Sequence, residues 1–434
     1  MPVRNYIAFA IPFFLLFIGL EILVARAQRR GVYRLQDALA DLGCGIGQQI
    51  VMVFAGAAFV AAYAALYDRF RLFTFAEASP APWLISFVVV DFAYYWWHRL
   101  SHEVNFLWAA HAVHHQSEDY NLAVALRQSI LTSFTSLPFY YPMAFLGVPP
   151  VVYATMVAMS TLYQFWIHTE LVGKLGWLER VLNTPSHHRV HHAVNPQYLD
   201  KNYGAILIVW DRLFGTFAEE REPAVFGTTK PIRSFNPAWA QVQAWFEIAE
   251  KARPLRRFAD RARILLAPPS YDPLGRPAPT EAELRRRPKH EVGVSRALAA
   301  YALAQFAPLI AATFLMLLWQ YSAPRGPLLV AALFVFWALV AIGALLDAKR
   351  WGVTLELARL AAMAAVVVVW RPLGIATGVA AAAAGVGAVA LATWLLLAAR
   401  RPAQADRVGA RSSAVSACAL EGRAPAAGGA CSSP

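Results

Sequence analysis

The sequence predicts an all-α protein: a polytopic bundle of membrane helices with a histidine-rich site for two metal ions on its cytoplasmic side. Three observations lead to this prediction. The chain of 434 residues is 58% hydrophobic but only 15% charged, whereas soluble domains carry roughly 25% charged residues. Its apolar residues are concentrated in segments long enough for a helix to cross a bilayer. Ten of its eleven histidines lie between residues 98 and 192.

The N-terminal region, residues 1–75, contains two apolar segments, 6–25 and 46–67, joined by a basic loop. Arg4 precedes the first segment, and four arginines follow it. Basic residues flank membrane helices on the cytoplasmic side. We therefore expect the first helix to be retained rather than cleaved as a signal peptide, with its C-terminal end in the cytoplasm. The four arginines are Arg26, Arg29, Arg30 and Arg34.

The next region, residues 79–222, is predicted to be the catalytic domain because it holds the ten clustered histidines. The first of its three apolar segments should deliver its C-terminal end, at His98, to the cytoplasmic face. The other two are predicted to form a hairpin that returns His168 to the same side. These three segments are residues 82–98, 128–147 and 149–167.

The C-terminal half alternates between polar and apolar regions. Residues 223–292 are polar and basic, and we interpret them as a cytoplasmic segment with a Pro-rich loop at 268–279. Residues 293–400 form a second apolar block. Residues 401–434 contain no aromatic residue, a composition typical of a disordered tail. The predicted helices of the apolar block are 297–319, 327–346, 353–370 and 374–398.

The net charge of +12 does not indicate a nucleic-acid-binding protein. The basic residues crowd between residues 251 and 289 and after residue 399, where they flank apolar segments. That distribution is typical of helix orientation and of attraction to anionic lipid headgroups. No nucleic-acid-binding motif accompanies it. Cys44, Cys418 and Cys431 do not have the spacing of a zinc, redox or disulfide framework.

The histidines recur at spacings of three and four residues. The stretch HRLSH places His98 and His102 four residues apart. HAVHH and HRVHH each place three histidines at positions i, i+3 and i+4, so that the imidazoles of each stretch lie on one side of a helix. These two groups of three are His111, His114 and His115, and His188, His191 and His192.

Such spacing predicts metal binding, because neutral imidazole is the commonest metal ligand in proteins. Eight to ten histidines exceed the four ligands of one tetrahedral zinc. They suit two ions of higher coordination number, with positions left for water or dioxygen. Zinc, copper, iron and nickel all stay open, since nitrogen ligands suit each of them. Spacing alone leaves His168 and His187 unassigned, and we interpret His290 as unrelated to the site.

Four stretches closely resemble the fatty acid hydroxylase/sterol desaturase superfamily, whose members are integral membrane di-iron oxygenases. Within it, QFWIHTE, DKNYGAILIVWDRLFGTF and the apolar block at 293–400 look most like the ether-lipid-cleaving branch, the alkylglycerol monooxygenases. The resemblance covers residues 91–217. Its stretches are DFAYYWWHRLSH, WAAHAVHHQSEDYN, QFWIHTE and NTPSHHRVHHAVNPQYLDKNYGAILIVWDRLFGTF.

The resemblance implies a set of ligands and a reaction. The ions would be two irons, held by the histidines of HRLSH, HAVHH and HRVHH. His168 matches a further ligand that the superfamily places between its second and last histidine stretches, and His187 is a possible addition. The reaction would be O2-dependent hydroxylation of a lipid that enters from the bilayer. In the branch, the carbon hydroxylated is the one next to the ether oxygen of an alkylglycerol, and the products are an aldehyde and a glycerol.

Carboxylates near the histidines are candidates to orient them, because ligating histidines usually donate their second N–H to a carboxylate or carbonyl. Asp91 lies seven residues before His98 and hence on the same helix face. The further candidates are Glu118, Asp119, Glu170 and Asp211.

The reaction also needs two electrons from outside the chain. The sequence contains no iron–sulfur, dinucleotide or haem-attachment motif, so an external donor must supply them. The branch resemblance implies tetrahydrobiopterin, whereas other branches use cytochrome b5 or ferredoxin-type donors.

Several other functions stay open from the sequence. Within the superfamily they are hydroxylation of fatty acids or sphingolipids and oxidation of sterols or carotenoids. A His-rich metal transporter is a different class, and it would place ligands at mid-membrane and carboxylates on several helices. A lipid-binding scaffold stiffened by metal ions is a third.

Overall fold

The computed structural model describes residues 6–369 and 377–400, and the predicted tail at 401–434 lies outside them. All regular elements within the described ranges are helices. Two isolated β-bridges, between Leu182 and Leu207 and between Ala193 and Phe226, are the extended pairings found there. The prediction of an all-α fold is confirmed.

The described residues divide into two compact units. The first lies within Met1–His290 and Ala307–Gly343, and the second within Glu291–Phe306 and Ala344–Pro434. All ten clustered histidines belong to the first unit.

The first unit begins with two long apolar helices, α1 (Tyr6–Ala27) and α2 (Leu35–Phe70). At a rise of about 1.5 Å per residue, α2 is about 54 Å long. This exceeds the hydrocarbon core of a bilayer, which is about 30 Å thick. Part of α2 therefore extends beyond the hydrocarbon. Its first turns carry the buried acids Asp37 and Asp41.

Seven further helices follow, and three of them, α3, α4 and α8, carry all the clustered histidines except His168. Part of their core is a stacked pair of rings, Tyr63 of α2 and Tyr153, with centroids 4.0 Å apart. The Tyr63 hydroxyl donates to the carbonyl of Val148 at 3.0 Å. The helices are α3 (Pro80–Glu103), α4 (Asn105–His115), α5 (Thr132–Tyr140), α6 (Pro142–Phe145), α7 (Pro150–Trp166), α8 (Pro185–His192) and α9 (Val209–Phe214).

The apolar segment at 128–147 is not the single helix expected from its composition. It divides into α5 and α6, and the break falls at Pro142. Proline has no backbone N–H and fixes its own φ, so it begins a new helix more readily than it continues one. Gly147 then ends the segment with a φ of 82°, a conformation that glycine adopts without steric cost.

The C-terminal half of the chain is also helical. Asn236 caps its first helix by accepting a hydrogen bond from the N–H of Ala238. The helices are α10 (Pro237–Ala252), α11 (Phe258–Leu266), α12 (Glu281–Arg286), α13 (Arg296–Trp319), α14 (Arg325–Leu346), α15 (Arg350–Val369) and α16 (Thr377–Arg400).

Four helices of the described ranges are long and apolar enough to cross a bilayer: α1, α2, α13 and α14. They coincide with four of the predicted membrane segments, and the protein is an integral membrane protein. Two other predicted segments form helices that are shorter or more charged. α7 has 17 residues, and α15 carries Arg350, Glu356 and Arg359.

The second unit contains a buried polar network between α13 and α15. The Tyr301 hydroxyl donates to Oε1 of Glu356 at 2.6 Å. The Arg359 guanidinium donates to both oxygens of Glu356 and to Oε1 of Gln305. The buried charges of Glu356 and Arg359 are thereby paired with each other.

Candidate metal centre

Nine of the ten clustered histidines converge into two groups. Within each group, every side chain offers one nitrogen, and these nitrogens lie within 4.8 Å of one another. All nine side chains are buried, none more than 8% exposed. The five-membered group is His98, His102, His111, His115 and His191, and the four-membered group is His114, His168, His188 and His192.

The two groups share their helices in a reciprocal pattern. On α4, the residues at i and i+4 join the five-membered group, and His114 at i+3 joins the other. On α8 the pattern reverses, because His191 at i+3 joins the five-membered group. Residues i+3 and i+4 differ by about 100° around a helix axis. Each stretch of three histidines can therefore serve two neighbouring ions.

Backbone carbonyls orient four of the imidazoles through Nδ1. His98 donates to the carbonyl of Tyr203 at 2.8 Å, and His191 to that of Lys201 at 3.0 Å. The other two are His114, which donates to Arg127 at 3.0 Å, and His168, which donates to Gln164 at 2.7 Å. A carbonyl can only accept, so each of these rings carries its proton on Nδ1 and a lone pair on Nε2.

The Nε2 atoms of His114 and His168 lie too close for two neutral rings with no cation between them. Those of His114 and His168 are 3.1 Å apart, although both rings hold their protons on Nδ1. Two lone pairs then face each other, and a shared cation relieves their repulsion. Further close Nε2 pairs are His168–His188 at 3.0 Å, His98–His111 at 3.0 Å and His111–His115 at 3.1 Å.

These separations also indicate the kind of ion. Two nitrogens about 2.1 Å from one ion and about 3.0 Å apart subtend an angle of about 90–95° at it. A tetrahedral ion would hold them about 3.4 Å apart. The spacing, the five-membered group and the absence of thiolates from both groups suit a transition-metal ion that takes more than four ligands.

Burial keeps these imidazoles neutral. It lowers the pKa of His191 to about 3, against a partial opposing effect of the hydrogen bond to Lys201. It likewise lowers the pKa of His114 to about 4, with the hydrogen bond to Arg127 opposing the shift. Burial also lowers the pKa of His111, His115, His188 and His192. The rings are therefore in the metal-binding form at neutral pH.

Two buried carboxylates hold the loop that follows α8. This loop supplies the carbonyls that orient His98 and His191. Asp211 accepts from the N–H groups of Tyr203 and Gly204, both at 2.8 Å. Asp91 accepts from the N–H of Ile206 at 2.8 Å and the indole N–H of Trp210 at 2.9 Å. Both predicted carboxylates thus act on the backbone of the 203–211 loop rather than on an imidazole.

Arg127 orients a histidine of the four-membered group through its own carbonyl, and its side chain holds that segment in place. Its side chain is 1% exposed and donates to Val113 O at 2.7 Å, Asp41 at 3.1 Å and Gln116 at 3.1 Å. Its own carbonyl accepts from His114. Sequence reasoning missed this residue, although an arginine immediately before an apolar segment was the available signal.

The other predicted carboxylates pair with arginine and lysine side chains at the edge of the site. Glu170 lies 3.8 Å from the guanidinium of Arg30. Asp119 pairs with Arg34 at 3.0 Å and with Lys289 at 2.6 Å. Their contacts tie the 28–34 loop and the residues before α13 to the ends of the histidine segments.

The two remaining histidines lie outside both groups. The His187 ring packs edge-on against Phe217, with centroids 5.4 Å apart. His290 packs against Phe235, and its backbone N–H donates to Glu118 at 2.6 Å.

Two tyrosines line the site and were not identified from the sequence. The ring of Tyr203 lies 5.3 Å from that of His102, and Tyr203 is fully buried. Tyr120 lies 5.2 Å from His192, and its hydroxyl donates to Ile167 O at 3.1 Å. Both tyrosines fall inside the stretches that carry the resemblance, which was the available signal.

Comparison with known proteins agrees with this site. A family model described as fatty acid hydroxylase matches residues 83–216. Human alkylglycerol monooxygenase is 39% identical over 363 residues, covering 82% of this chain and 81% of the human protein. The zebrafish (Danio rerio) alkylglycerol monooxygenase is 36% identical over 362 residues, with the same shares covered.

A more distant relative shares the histidine region. The ornithine lipid hydroxylase of Rhizobium tropici is 30% identical over 142 residues, covering 32% of this chain and 43% of that protein. No solved structure gives a significant match. The extent of the identity to the human and zebrafish proteins shows that the chain belongs to the alkylglycerol monooxygenase family and is an oxygen-using lipid monooxygenase.

Proposed function

We propose that the protein is a di-iron monooxygenase that hydroxylates the ether-linked carbon of alkylglycerols. The observation that carries this proposal is the facing pair of unprotonated nitrogens on His114 and His168, within a set of nine buried histidines that converge into two groups. The names of the human and zebrafish relatives support the substrate class.

The reaction inserts one oxygen atom of O2 into the C–H bond next to the ether oxygen. The other oxygen atom leaves as water after the uptake of two electrons and two protons. The resulting hemiacetal breaks its C–O bond to give a fatty aldehyde and a free glycerol hydroxyl. Bound iron would supply the activation of O2 that an unactivated C–H bond requires.

The residues of this chain provide the setting for that chemistry. Each of the nine ligands is buried, which keeps bulk water from the metal pair. The carbonyls of Tyr203, Lys201, Arg127 and Gln164 fix the orientation of four rings. Hydrogen bonding of this kind also raises the basicity of a ligating imidazole.

The site is proposed to face the cytoplasm. The basic loop between α1 and α2 contacts the histidine region, since the side chain of Asn121 donates to Val32 O at 2.7 Å and Arg34 pairs with Asp119. Basic loops flanking membrane helices are retained on the cytoplasmic side. The reductant is proposed to be an external molecule, with tetrahydrobiopterin as the first candidate.

The arrangement of the ligands does not favour a transporter. None of the nine histidines lies on α1, α2, α13 or α14, the helices apolar enough to span the bilayer. A transport site would use ligands at the middle of such helices.

The test is a metal analysis followed by a product assay. Purified protein should contain two irons per chain, and with O2 and tetrahydrobiopterin it should convert labelled alkylglycerol to fatty aldehyde. Labelled fatty acid and sterol serve as competing substrates in parallel reactions. Hydroxylated fatty acid without any aldehyde would contradict the substrate assignment, and zinc in place of iron would contradict the mechanism.

A further inference from the structure

The α10 helix exposes a row of apolar side chains although its opposite face is well packed. Its inner face packs against Ala109 and Ala112 of α4. Its outer face carries Trp239, Val242 and Phe246, spaced three and four residues apart, and Phe246 is 60% exposed. The rings of Trp239 and Phe246 lie 5.4 Å apart. A contiguous apolar row of this kind on a helix marks a surface that binds something apolar.

The neighbouring α11 helix extends the same character and adds positive charge. Phe258 is 85% exposed and Leu266 is 74% exposed. Between residues 253 and 263 the chain carries five arginines against one aspartate, Asp260. Exposed aromatic and aliphatic side chains beside arginines are typical of helices that lie at a membrane surface. The arginines are Arg253, Arg256, Arg257, Arg261 and Arg263.

Contacts within the first unit place the start of α10 beside the end of a membrane helix. The side chain of Asn236 donates to Val340 O at 3.1 Å, in the last two turns of α14. A Cβ on Gly343 would lie 2.7 Å from Cα of Asn236. Since α14 is apolar enough to cross the bilayer, its end lies at the boundary between hydrocarbon and water, and α10 begins at that depth.

We propose that α10 and α11 form a membrane-interface surface that binds anionic phospholipid. Trp239, Phe246 and Phe258 insert among the lipids, and the arginines contact phosphate groups of the same leaflet. Basic residues near an anionic membrane surface are attracted to it. Because the arginines are positively charged, the surface should bind an anionic bilayer more strongly than a neutral one.

Hydrogen bonds connect this surface to the start of α4, the helix that carries three of the histidines. The Asn105 side chain, at the start of α4, donates to Ile264 O of α11 at 2.9 Å. The Asn105 backbone N–H donates to Ala267 O at 2.9 Å. Lipid bound by α10 and α11 thus contacts helices that pack against α4, and α4 carries His111, His114 and His115.

The test places a fluorescent label at single cysteines in the full-length protein in nanodiscs. The background carries Cys418→Ser and Cys431→Ser and retains the buried Cys44, and this background without an added cysteine is the labelling blank. The labelled variants are Phe246→Cys, Phe258→Cys and, as matched control, Ala282→Cys on the exposed part of α12. Doxyl-phosphatidylcholine quenches from the lipid and iodide quenches from the water.

At positions 246 and 258 we expect lipid quenching several-fold stronger than at 282, and iodide quenching correspondingly weaker. Replacing half of the phosphatidylcholine with phosphatidylglycerol should increase lipid quenching at 258. Arg256→Gln with Arg257→Gln should abolish that increase while leaving iron content unchanged.

Three results would overturn the proposal. Iodide quenching equal to that at 282 would place the surface in water. Protection from both quenchers would indicate that protein, such as a second copy of the chain, covers it. Lipid quenching that phosphatidylglycerol does not change would remove the specificity for anionic lipid.

Discussion

The protonation of single imidazole nitrogens determines what the site can bind. A hydrogen bond from Nδ1 to a carbonyl leaves Nε2 with a lone pair and no proton. The histidines with this hydrogen bond are His98, His114, His168 and His191. His187 lies on α8 together with His191, but its ring packs on Phe217. The two kinds of histidine can therefore be separated by experiment.

We predict that His114→Ala and His191→Ala each lower bound iron and abolish oxygenase activity, because each removes a ligand from a different group. His187→Ala is the matched control and should keep two irons per chain. Iron analysis and a product assay on the three purified variants check this. Iron loss in His187→Ala equal to that in His191→Ala would contradict the grouping.

Acid should destabilise the metal-free protein. The unfolded chain binds a proton at each of these histidines near its ordinary pKa of about 6.5. The folded chain binds one only near the lowered pKa, about 4 for His114 and about 3 for His191. Between these values the unfolded state holds more protons, so stability falls as pH falls.

The measurement is the Tm of the metal-free protein in detergent between about pH 7 and pH 4. We expect Tm to decrease on acidification below about pH 6.5, and His114→Gln to show a shallower decrease. A Tm that rises over this range would show that the folded state binds the additional protons.

At the scale of elements, the loop between α8 and α9 orients two histidines of the five-membered group. It supplies the carbonyls that orient His98 and His191, and Asp91 and Asp211 hold its backbone. Gly204 lies in this loop, where a Cβ would come within 2.5 Å of Leu207 O.

Gly204→Ala should therefore destabilise the protein by about 1–3 kcal/mol, the usual range for overpacking a buried position. It should also lower iron content, because the displaced loop carries the carbonyl of Tyr203. Gly173→Ala is the matched control, since a Cβ there meets nothing within 4 Å. Chemical denaturation and iron analysis measure both effects; equal stability of the two variants would contradict the role of the loop.

At the scale of the molecule, the proposed metal pair would join parts of the first unit that are distant in sequence. The proposed ligands come from α3, α4 and α8, with His168 two residues after the end of α7. Crosslinks of this kind stabilise the folded state over the unfolded one.

We predict that chelation lowers the Tm of the purified protein and that added Fe2+ restores it. The restoration should require two equivalents per chain. The His114→Ala, His191→Ala double variant is the control and should show no response to Fe2+. A wild-type Tm unaffected by chelation at full iron removal would contradict the crosslinking role.

The C-terminal tail yields a prediction from the sequence alone. Deleting residues 402–434 should leave activity and iron content unchanged, because this segment carries none of the histidines and no aromatic residue. A product assay on membranes expressing the shortened chain tests this. Loss of catalysis with normal expression would contradict it.

Composition and local spacing were sufficient for much of the molecule. The helical class and four of the membrane helices could be predicted because apolar runs of about 20 residues typically form helices that span a bilayer. The segment at 128–147 could not, since its prolines compete with its apolar composition. Arg127 was missed because only the folded chain brings its guanidinium to Asp41 and its carbonyl to His114.

By itself, the sequence determined the fold class, the membrane character and the histidines that can bind metal. These properties depend on residue type and on directions around a single helix axis. The tertiary structure decided that His111 and His114, three residues apart, serve different groups, and that carbonyls rather than carboxylates orient the rings. The reason is that helical spacing sets where a side chain points on its own helix, whereas the position of the facing helix depends on packing between residues far apart in the chain.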